Sequence, residues 1–209
     1  MKIICIGRNY AAHAAELGNA TPDTEPVVFL KPASALLNNN KPFYYPDFSE
    51  NIHYETELVL RIGKNGRAIE PEFALSYIDS LTLGLDMTAR DLQQRQKERR
   101  QPWEIAKGFD GSAPLADARF APEEFADLND IEFGLRKNGE EVQHGQSRNM
   151  IFSLSEIICY VSRFFRLQLG DLIFTGTPEG VGPVAVGDEL AGYLVTKAGR
   201  QEILRTRIK

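Results

Sequence analysis

Three acidic residues in the first half of the chain have the types and spacing of a metal site. In the segment HYETEL, Glu55 and Glu57 lie two positions apart in a β-strand pattern, so their side chains share one face, about 7 Å apart along the strand. Asp86 follows the apolar run LTLGL. Such oxygen ligands suit Mg²⁺ or Mn²⁺ and leave coordination positions for substrate and water. Taken singly, the glutamate pair is more typical of a charged edge strand, and Asp86 is as typical of a helix cap.

A second metal interpretation uses histidine. His53, Glu55 and the distant His144 fit the pattern of two histidines and one carboxylate found in non-haem iron oxygenases. This interpretation gives no purpose to Glu57 and Asp86, so we keep it as a minor alternative. His53 shares the face of the glutamates, and we expect it beside the metal ligands and not among them.

A histidine and a glutamate near the N-terminus have the spacing of an acid–base pair. His13 and Glu16 stand three positions apart in the alanine-rich segment NYAAHAAEL, and a helix there would turn both side chains to one face. A carboxylate beside a histidine can orient the ring and stabilise its protonated form. On spacing alone, an exposed pair without a function is the more common case. The segment is short, which makes it a candidate for an element that orders when a ligand binds.

Several basic and polar residues could hold an anionic substrate. Lys107 lies among apolar and aromatic residues in PWEIAKGF, where a lysine either extends to solvent or is a placed cation. The same two interpretations apply to Arg8 and Lys31. Arg90 and Gln93 would lie one turn apart on a helix that follows Asp86.

A glycine-rich loop follows an apolar strand near the C-terminus. In the segment TGTPEGVGP, which includes Thr177, backbone amides could approach an anion. It is not a Walker A loop, because no GK[ST] follows, and as a turn it needs no function.

Composition bounds the class of protein. The chain has 209 residues, of which 43% are hydrophobic and 25% charged, which predicts one domain over residues 1–209. The formal net charge of −5 argues against nucleic-acid binding and against attachment to a membrane surface. Two cysteines in apolar segments indicate a reducing compartment, and no apolar run approaches the ~20 residues of a membrane span. We therefore expect a soluble, cytoplasmic protein.

The elements that must position these residues are mostly short strands. In the first half the pattern predicts the strand of the HYETEL segment, which leads into a tight turn at Lys64-Asn65-Gly66. The other predicted strands cover residues 2–6, 27–32 and 81–87, and predicted helices cover 71–78 and 88–100.

The second half of the chain also predicts mostly short strands, with one clear helix. Hairpins are predicted around Asn138-Gly139 and near Ala198-Gly199, with an apolar strand LIFTG between them. The clearest helix covers residues 153–167, where Ser153 and Glu156 form a capping box. Its predicted apolar stripe comprises Leu154, Ile157, Ile158, Val161, Phe164 and Phe165. Many strands with a few helices predict a mixed α+β fold.

Six blocks in this order resemble the fumarylacetoacetate hydrolase family, in particular its short acylpyruvate hydrolase-like members. The blocks are IGRNYAAHAAEL, VFLKPASALL, HYETEL, LDMTARDLQ, PWEIAKGFD and GDLIFTGTPEGVGP. The resemblance covers nearly the whole chain. It implies an α+β fold with a layered, rolled β-sheet and, usually, a homodimer. It also implies an Mg²⁺ or Mn²⁺ ion held by Glu55, Glu57 and Asp86.

The same resemblance implies roles for the remaining candidates. His13 and Glu16 would activate water from a lid segment. Lys107 would act with them in catalysis. The substrate-binding residues would be Arg8, Lys31, Arg90, Gln93 and Thr177.

The function so implied is hydrolysis of a carbon–carbon bond in a 3-acylpyruvate, such as acetylpyruvate or fumarylpyruvate, to pyruvate and a carboxylic acid. Water activated by His13 would attack the distal keto carbon, and Lys107 would stabilise the pyruvate enolate that leaves. Three alternatives remain open for this chain. They are an oxaloacetate decarboxylase or tautomerase, a 2-hydroxydienedioate isomerase or hydratase, and, outside this family, the iron oxygenase. A β module merely stabilised by a cation would have no use for the basic cluster.

Overall fold

Short strands make up most of the regular structure, as the sequence predicts. The structure is a computed structural model and describes residues 1–16, 18, 22, 24–38 and 40–209. Its strands are β1 Ile3–Gly7, β2 Val27–Lys31, β3 Leu36–Leu37, β4 Ile52–Tyr54, β5 Thr56–Ile62, β6 Ile78–Leu85, β7 Thr88–Ala89, β8 Ala113–Pro114, β9 Glu132–Lys137, β10 Glu140–Gln146, β11 Leu172–Phe174, β12 Gly182–Pro183, β13 Glu189–Thr196 and β14 Gly199–Arg207. Its α-helices are α1 Ala11–Glu16, α2 Pro71–Ala74, α3 Arg90–Glu98, α4 Glu104–Lys107 and α5 Leu154–Phe164. The predicted α+β class is confirmed.

The largest sheet places the N-terminal strand beside a strand from the last quarter of the chain. Its strand order is β2-β1-β11-β5-β6. β1 runs parallel to β11, with Ile3 opposite Leu172, whereas β5 runs antiparallel to both β11 and β6. The N-terminal motif and the TGTP loop therefore leave neighbouring strands at the same edge of the sheet.

A second, antiparallel sheet packs against the first. Its order is β10-β9-β13-β14, and β9, β13 and β14 contact strands β5 and β6 of the first sheet. The predicted hairpin turns are confirmed: Asn138 and Gly139 both have positive φ between β9 and β10, and Gly199 has φ of 100° at the start of β14. Fully buried residues such as Leu83, Leu135 and Leu194 belong to the main hydrophobic core.

The HYETEL segment is not one continuous strand. β4 pairs with β7 and β12, whereas β5 pairs with β6 and β11. Glu55 stands at the point where the chain passes from one sheet to the other. The edge-strand interpretation is wrong, because β5 lies between two partners and Glu55 and Glu57 are only 4% and 2% exposed.

The tight turn predicted at Lys64-Asn65-Gly66 is also wrong. Neither Asn65 nor Gly66 has a positive φ, and the connection from β5 to β6 contains α2 and the 3₁₀ turn Leu75–Tyr77. Both residues instead bind the segment before β11: Asn65 Oδ1 accepts from Leu169 N, and Gly66 pairs with Leu167. Tertiary pairing has overridden the local turn signal.

Three predicted helices are shorter than expected, and the one predicted over 71–78 is α-helical only over Pro71–Ala74. The helix predicted over 88–100 begins at Arg90, because Thr88 and Ala89 form β7 against β4. The helix predicted over 153–167 has its predicted capping box but ends at Phe164. That side chain is 56% exposed, so it does not continue the buried stripe.

Two further expectations concern the thiols and membrane spans. Cys5 and Cys159 are free thiols, Cys5 buried and Cys159 partly so. In the part of the chain that the structure describes, no helix is long and apolar enough to cross a bilayer.

Candidate metal and substrate site

The three predicted metal ligands meet at one place. Ligand oxygens of Glu55, Glu57 and Asp86 all lie within 4.8 Å of one another, and all three residues are buried. The antiparallel register sets Thr56 opposite Leu85, so Asp86, at the end of β6, falls beside the two glutamates. The Asp86 amide donates to the Glu55 carbonyl at 2.8 Å, which fixes the two elements together.

Two of these carboxylates are paired with basic side chains. Lys107 Nζ lies 2.7 Å from Glu55 Oε2 and 2.6 Å from Asp86 Oδ2. Arg90 donates from Nη2 to Glu55 Oε1 and from Nη1 to Gln93 Oε1, the latter at 2.7 Å. The predicted basic cluster is therefore assembled on the acidic group itself.

Glu57 is different, because no basic side chain pairs with it among the described residues. Its Oε2 accepts a hydrogen bond from Gly176 N at 2.7 Å. The amide that could have met a substrate anion thus binds a carboxylate of the protein. An additional positive charge would be most favourable beside Glu57.

The pKa values reflect this uneven pairing. Burial by itself would raise the pKa of Glu55, but Lys107 and Arg90 hold it well below its usual value. For Glu57, burial and the neighbouring Asp86 and Glu55 raise the pKa well above the usual value. Burial lowers the pKa of Lys107, but Asp86 and Glu55 more than offset this and raise it.

This donor set fits a divalent cation. Three buried carboxylates present hard oxygen ligands of the kind that Mg²⁺ and Mn²⁺ prefer. Because one of the three has no cationic partner, an ion here would relieve the repulsion that raises the pKa of Glu57.

A small cavity opens above the carboxylates. Its volume is about 30 Å³. The charged groups of Lys107 and Arg90 pair with the acidic residues at its base. The residues that line it are Ile6, Gly7, Arg8, His13, Phe29, Glu55, Glu57, Asp86, Arg90, Gln93, Lys97, Trp103, Lys107 and Thr177. Every predicted site residue except Glu16 and Lys31 therefore borders one space.

His13 and Glu16 form the contact that their spacing predicts. Both lie on α1; His13 is 5% exposed, and its Nδ1 is 3.5 Å from Glu16 Oε2. Burial lowers the pKa of His13 below 6.5, against the opposing influence of Glu55 and Glu16. Both Glu16 oxygens also lie 3.2 Å from Gly180 N, which ties α1 to the TGTP loop. Leu17, the last residue of the segment NYAAHAAEL, lies outside the described residues.

Lys31 does not line the cavity in which a substrate would bind. Its side chain is fully buried, and Nζ lies 2.8 Å from Asp86 Oδ1. It also donates to the Lys107 carbonyl and, at 3.0 Å, to Ser112 Oγ. Lys31 thus supports Asp86 from behind the cavity, contrary to the role expected from the sequence.

The histidines do not form an iron site. His144 lies on β10, where Nδ1 is 3.2 Å from Tyr193 OH. His53 Nε2 is 2.9 Å from Asn51 Oδ1, and burial together with Arg90 lowers the pKa of His53 to about 4. Within the described residues, the group of potential ligands is Glu55, Glu57 and Asp86, so the iron-oxygenase interpretation has no structural support.

Trp103 and Lys97 are among the cavity residues that sequence reasoning missed. The Trp103 ring centroid lies 5.9 Å from Arg8 Cζ and 5.8 Å from Lys97 Nζ. Arg8 has a left-handed backbone with φ of 60°, which is uncommon for a residue with a side chain and typical of functional loops. The PW dipeptide before Lys107 was a usable signal for Trp103, whereas Lys97 was hidden among the many charges of its helix.

Residues 2–205 match the family model of the fumarylacetoacetate (FAA) hydrolase C-terminal domain. The chain belongs to the fumarylacetoacetate hydrolase family. Its sequence is 42% identical to the mitochondrial oxaloacetate tautomerase of Bos taurus over 208 residues, which cover 99% of this chain and 90% of the relative. It is 45% identical to the mitochondrial oxaloacetate decarboxylase of Dictyostelium discoideum over 188 residues, or 89% and 85% of the two chains.

A solved structure of the family shares the fold closely. The fumarylpyruvate hydrolase of Pseudomonas aeruginosa, in complex with Mn²⁺ and pyruvate, superposes with a TM-score of 0.91 at 40% identity. The similarity covers 100% of this chain and 89% of that one. The family and the rolled α+β fold predicted from the six sequence blocks are therefore confirmed.

Proposed function

We propose that this member of the fumarylacetoacetate hydrolase family is a divalent-metal-dependent enzyme that interconverts the keto and enol forms of oxaloacetate. The observation that carries the proposal is the buried group of Glu55, Glu57 and Asp86 in one cavity with Lys107 and Arg90. The curated relatives support the substrate, since both are named for reactions of oxaloacetate. They favour this alternative over the 3-acylpyruvate hydrolase that the sequence first suggested.

The three carboxylates would hold Mg²⁺ or Mn²⁺. The Mn²⁺ in the Pseudomonas aeruginosa structure supports this assignment. When bound, the ion offsets the negative charge that develops on the 2-oxo oxygen.

The side chains of this chain supply the remaining chemistry. Lys107 and Arg90 provide fixed positive charge where the enolate oxygen forms, in a site that excludes most water. His13, largely neutral at pH 7 because burial lowers its pKa, can accept the proton from C3. Return of that proton from the imidazolium to the enolate oxygen completes the enol. Glu16 holds the Nδ1 side of that ring, which leaves Nε2 as the basic nitrogen.

The far side of the cavity favours a substrate with a second carboxylate. Arg8 and Lys97 both lie against the Trp103 ring. Burial and the positive charges of Arg8, Arg90 and Lys107 lower the pKa of Lys97, so these cations repel one another. A dianion such as oxaloacetate relieves that repulsion better than a monoanion of the same length.

A second candidate function is hydrolysis of fumarylpyruvate, another dicarboxylate. The contact between His13 and Glu16 favours it, since an oriented histidine is the group that water attack requires. Turnover assays of oxaloacetate, fumarylpyruvate and acetylpyruvate with Mg²⁺ and with Mn²⁺, with products identified by NMR, test both. Cleavage of an acylpyruvate without action on oxaloacetate would overturn the tautomerase proposal.

Replacing His13 with alanine should lower kcat for oxaloacetate tautomerisation by about 10²- to 10⁴-fold. The base must be neutral, so the wild-type rate should fall as pH drops through a pKa below 6.5, and this limb should vanish in the variant. Rate–pH profiles of both proteins give the answer, with Mn²⁺ affinity as the control for an intact site. A variant that keeps the full rate and the same acid limb would exclude His13 as the base.

The expected homodimer and the cytoplasmic location stay predictions, as do the lack of nucleic-acid and membrane partners. Light scattering on the purified protein tests the dimer.

A further inference from the structure

Gln143 is a buried polar residue that the reaction scheme has not used. It lies on β10 and is 1% exposed. The pairing of β10 with β9 shifts register between Glu141 and Gln143, as at a β-bulge, and bulges often redirect a side chain next to an active site. Here the Gln143 side chain points inward, away from the exposed face of its hairpin.

Three hydrogen bonds hold the Gln143 amide. Its Oε1 accepts from Thr56 N at 2.9 Å. Its Nε2 donates to Pro178 O at 2.9 Å and to Thr177 Oγ1 at 2.9 Å. Because a backbone amide can only donate and a carbonyl can only accept, Thr56 and Pro178 leave one possible orientation for the side-chain amide.

This orientation decides what the Thr177 hydroxyl can do. Thr177 Oγ1 must accept from Gln143, so its own proton must point elsewhere. Among the described residues the Thr177 hydroxyl makes no hydrogen bond as a donor, and Thr177 lines the cavity. The hydroxyl is thereby set as a donor toward a ligand.

Gln143 also joins the two halves of the site. Thr56 lies between Glu55 and Glu57, while Thr177 and Pro178 belong to the TGTP loop. The same loop packs tightly on the bulge: a Cβ at Gly180, where φ is +92°, would lie 2.1 Å from the Val142 carbonyl oxygen. Together with the hydrogen bond from Gly176 N to Glu57, this side chain holds the loop against the acidic group.

We propose that Gln143 is a positioning residue that aims the Thr177 hydroxyl at the carboxylate of the 2-oxo acid and holds the loop in register with Glu55 and Glu57. The inference rests on the proposed function in one respect, namely that a ligand carboxylate occupies the cavity beside Thr177. Gln143 itself touches neither substrate nor the reacting atoms.

The substitution Gln143→Glu separates orientation from mere contact. A glutamate can still accept from Thr56 N, but its second oxygen cannot donate to Pro178 O. It accepts the Thr177 proton instead and turns the hydroxyl away from the cavity. Because a lost hydrogen bond to a charged group typically weakens binding by about 10-fold or more, we expect oxalate to bind the Mn²⁺-loaded variant at least about 10-fold more weakly. Isothermal titration of oxalate measures this directly.

The decisive comparison is between Gln143→Glu alone and Gln143→Glu combined with Thr177→Val. If Gln143 acts through Thr177, then Gln143→Glu should add little in a Thr177→Val background, while Thr177→Ser should bind oxalate as the wild type does. An equal loss in both backgrounds would mean that Gln143 does not act through the Thr177 hydroxyl and would overturn the inference. Gln146→Met, on the same strand, is the matched control and should leave oxalate binding unchanged.

Two further results distinguish a failure of the proposed function from a failure of the inference about Gln143. If the wild-type protein with Mn²⁺ binds neither oxalate nor oxaloacetate, the proposed function fails, and this inference fails with it. If the wild type binds oxalate and Gln143→Glu binds it equally well, only the inference fails. Should that variant not fold, a crystal structure of the wild type with oxalate must show Thr177 Oγ1 bonded to both Gln143 Nε2 and oxalate; a hydroxyl that lacks either bond overturns the inference.

Discussion

Replacing Glu57 with glutamine is expected to abolish tight Mn²⁺ binding and yet leave the metal-free protein as stable as the wild type, or more so. Burial, Asp86 and Glu55 raise the pKa of Glu57 well above 4.5, so its charged form is unfavourable without a cation. Glutamine removes that repulsion and can still accept from Gly176 N. It offers only a neutral amide oxygen, which binds a divalent cation far more weakly than a carboxylate in this site.

The pH dependence of stability has a definite sign. A carboxyl whose pKa is higher in the folded state binds protons more tightly there, so its contribution to the unfolding free energy is lost as pH rises above the unfolded value of about 4.5. That loss should be present in the metal-free wild type and absent in Glu57→Gln. Urea unfolding from pH 4 to 8 and titration with Mn²⁺ measure both effects.

Asp86→Asn is the matched control for this experiment. Asp86 is completely buried and pairs with both Lys31 and Lys107, so removing its charge should cost about 3–5 kcal/mol of unfolding free energy. A Glu57→Gln variant that keeps wild-type Mn²⁺ affinity, or that loses as much stability as Asp86→Asn, would contradict the assignment.

Replacing Lys107 with methionine should have the largest combined effect on stability and turnover. Its ammonium lies between Glu55 and Asp86 at 2.7 and 2.6 Å, and without it two buried carboxylates lose their shared counter-ion. We expect a loss of about 3–5 kcal/mol in the metal-free protein. Because the two carboxylates raise the pKa of Lys107, this contribution should persist through neutral pH and disappear only at strongly alkaline pH.

A divalent ion should repair the stability of this variant but not its activity. An ion bound by the same carboxylates replaces the missing positive charge, so saturating Mn²⁺ should raise Tm more in Lys107→Met than in the wild type. Turnover of oxaloacetate should still fall by about 10²-fold or more, since fixed positive charge at a developing oxyanion is typically worth that much. Lys97→Met, which removes another ammonium from the same cavity, should destabilise the protein far less. Equal Mn²⁺ stabilisation of wild type and Lys107→Met would show that ion and lysine do not share these carboxylates.

The parts of the site that follow a local pattern were predictable. Strand alternation brought Glu55 and Glu57 to one side, helical spacing joined His13 with Glu16, and the ordered blocks connected them to Asp86. The hairpin at Asn138-Gly139 was predictable for the same reason, since the turn chemistry and the pairing of its arms agree.

The predictions that failed concern features that depend on contacts between segments distant in the sequence. No local signal marks Glu55 as the junction of two sheets, because the change of partners is made by β7, β11 and β12. The Asn-Gly signal at residues 65–66 yielded to pairing with residues 167–169. Lys31 could be recognised as buried behind Asp86 only after β2 was placed at the sheet edge beside β1. Gln143 depends on a bulge, which one strand's sequence does not reveal.

Anomalous diffraction from crystals grown with Mn²⁺ and oxalate tests the site most directly. We predict one strong manganese peak bonded to carboxylate oxygens of Glu55, Glu57 and Asp86, with oxalate on its open side beside Lys107 and Thr177. A manganese peak at another place, or none at this group under saturating Mn²⁺, would contradict the assignment of these carboxylates as the catalytic metal site.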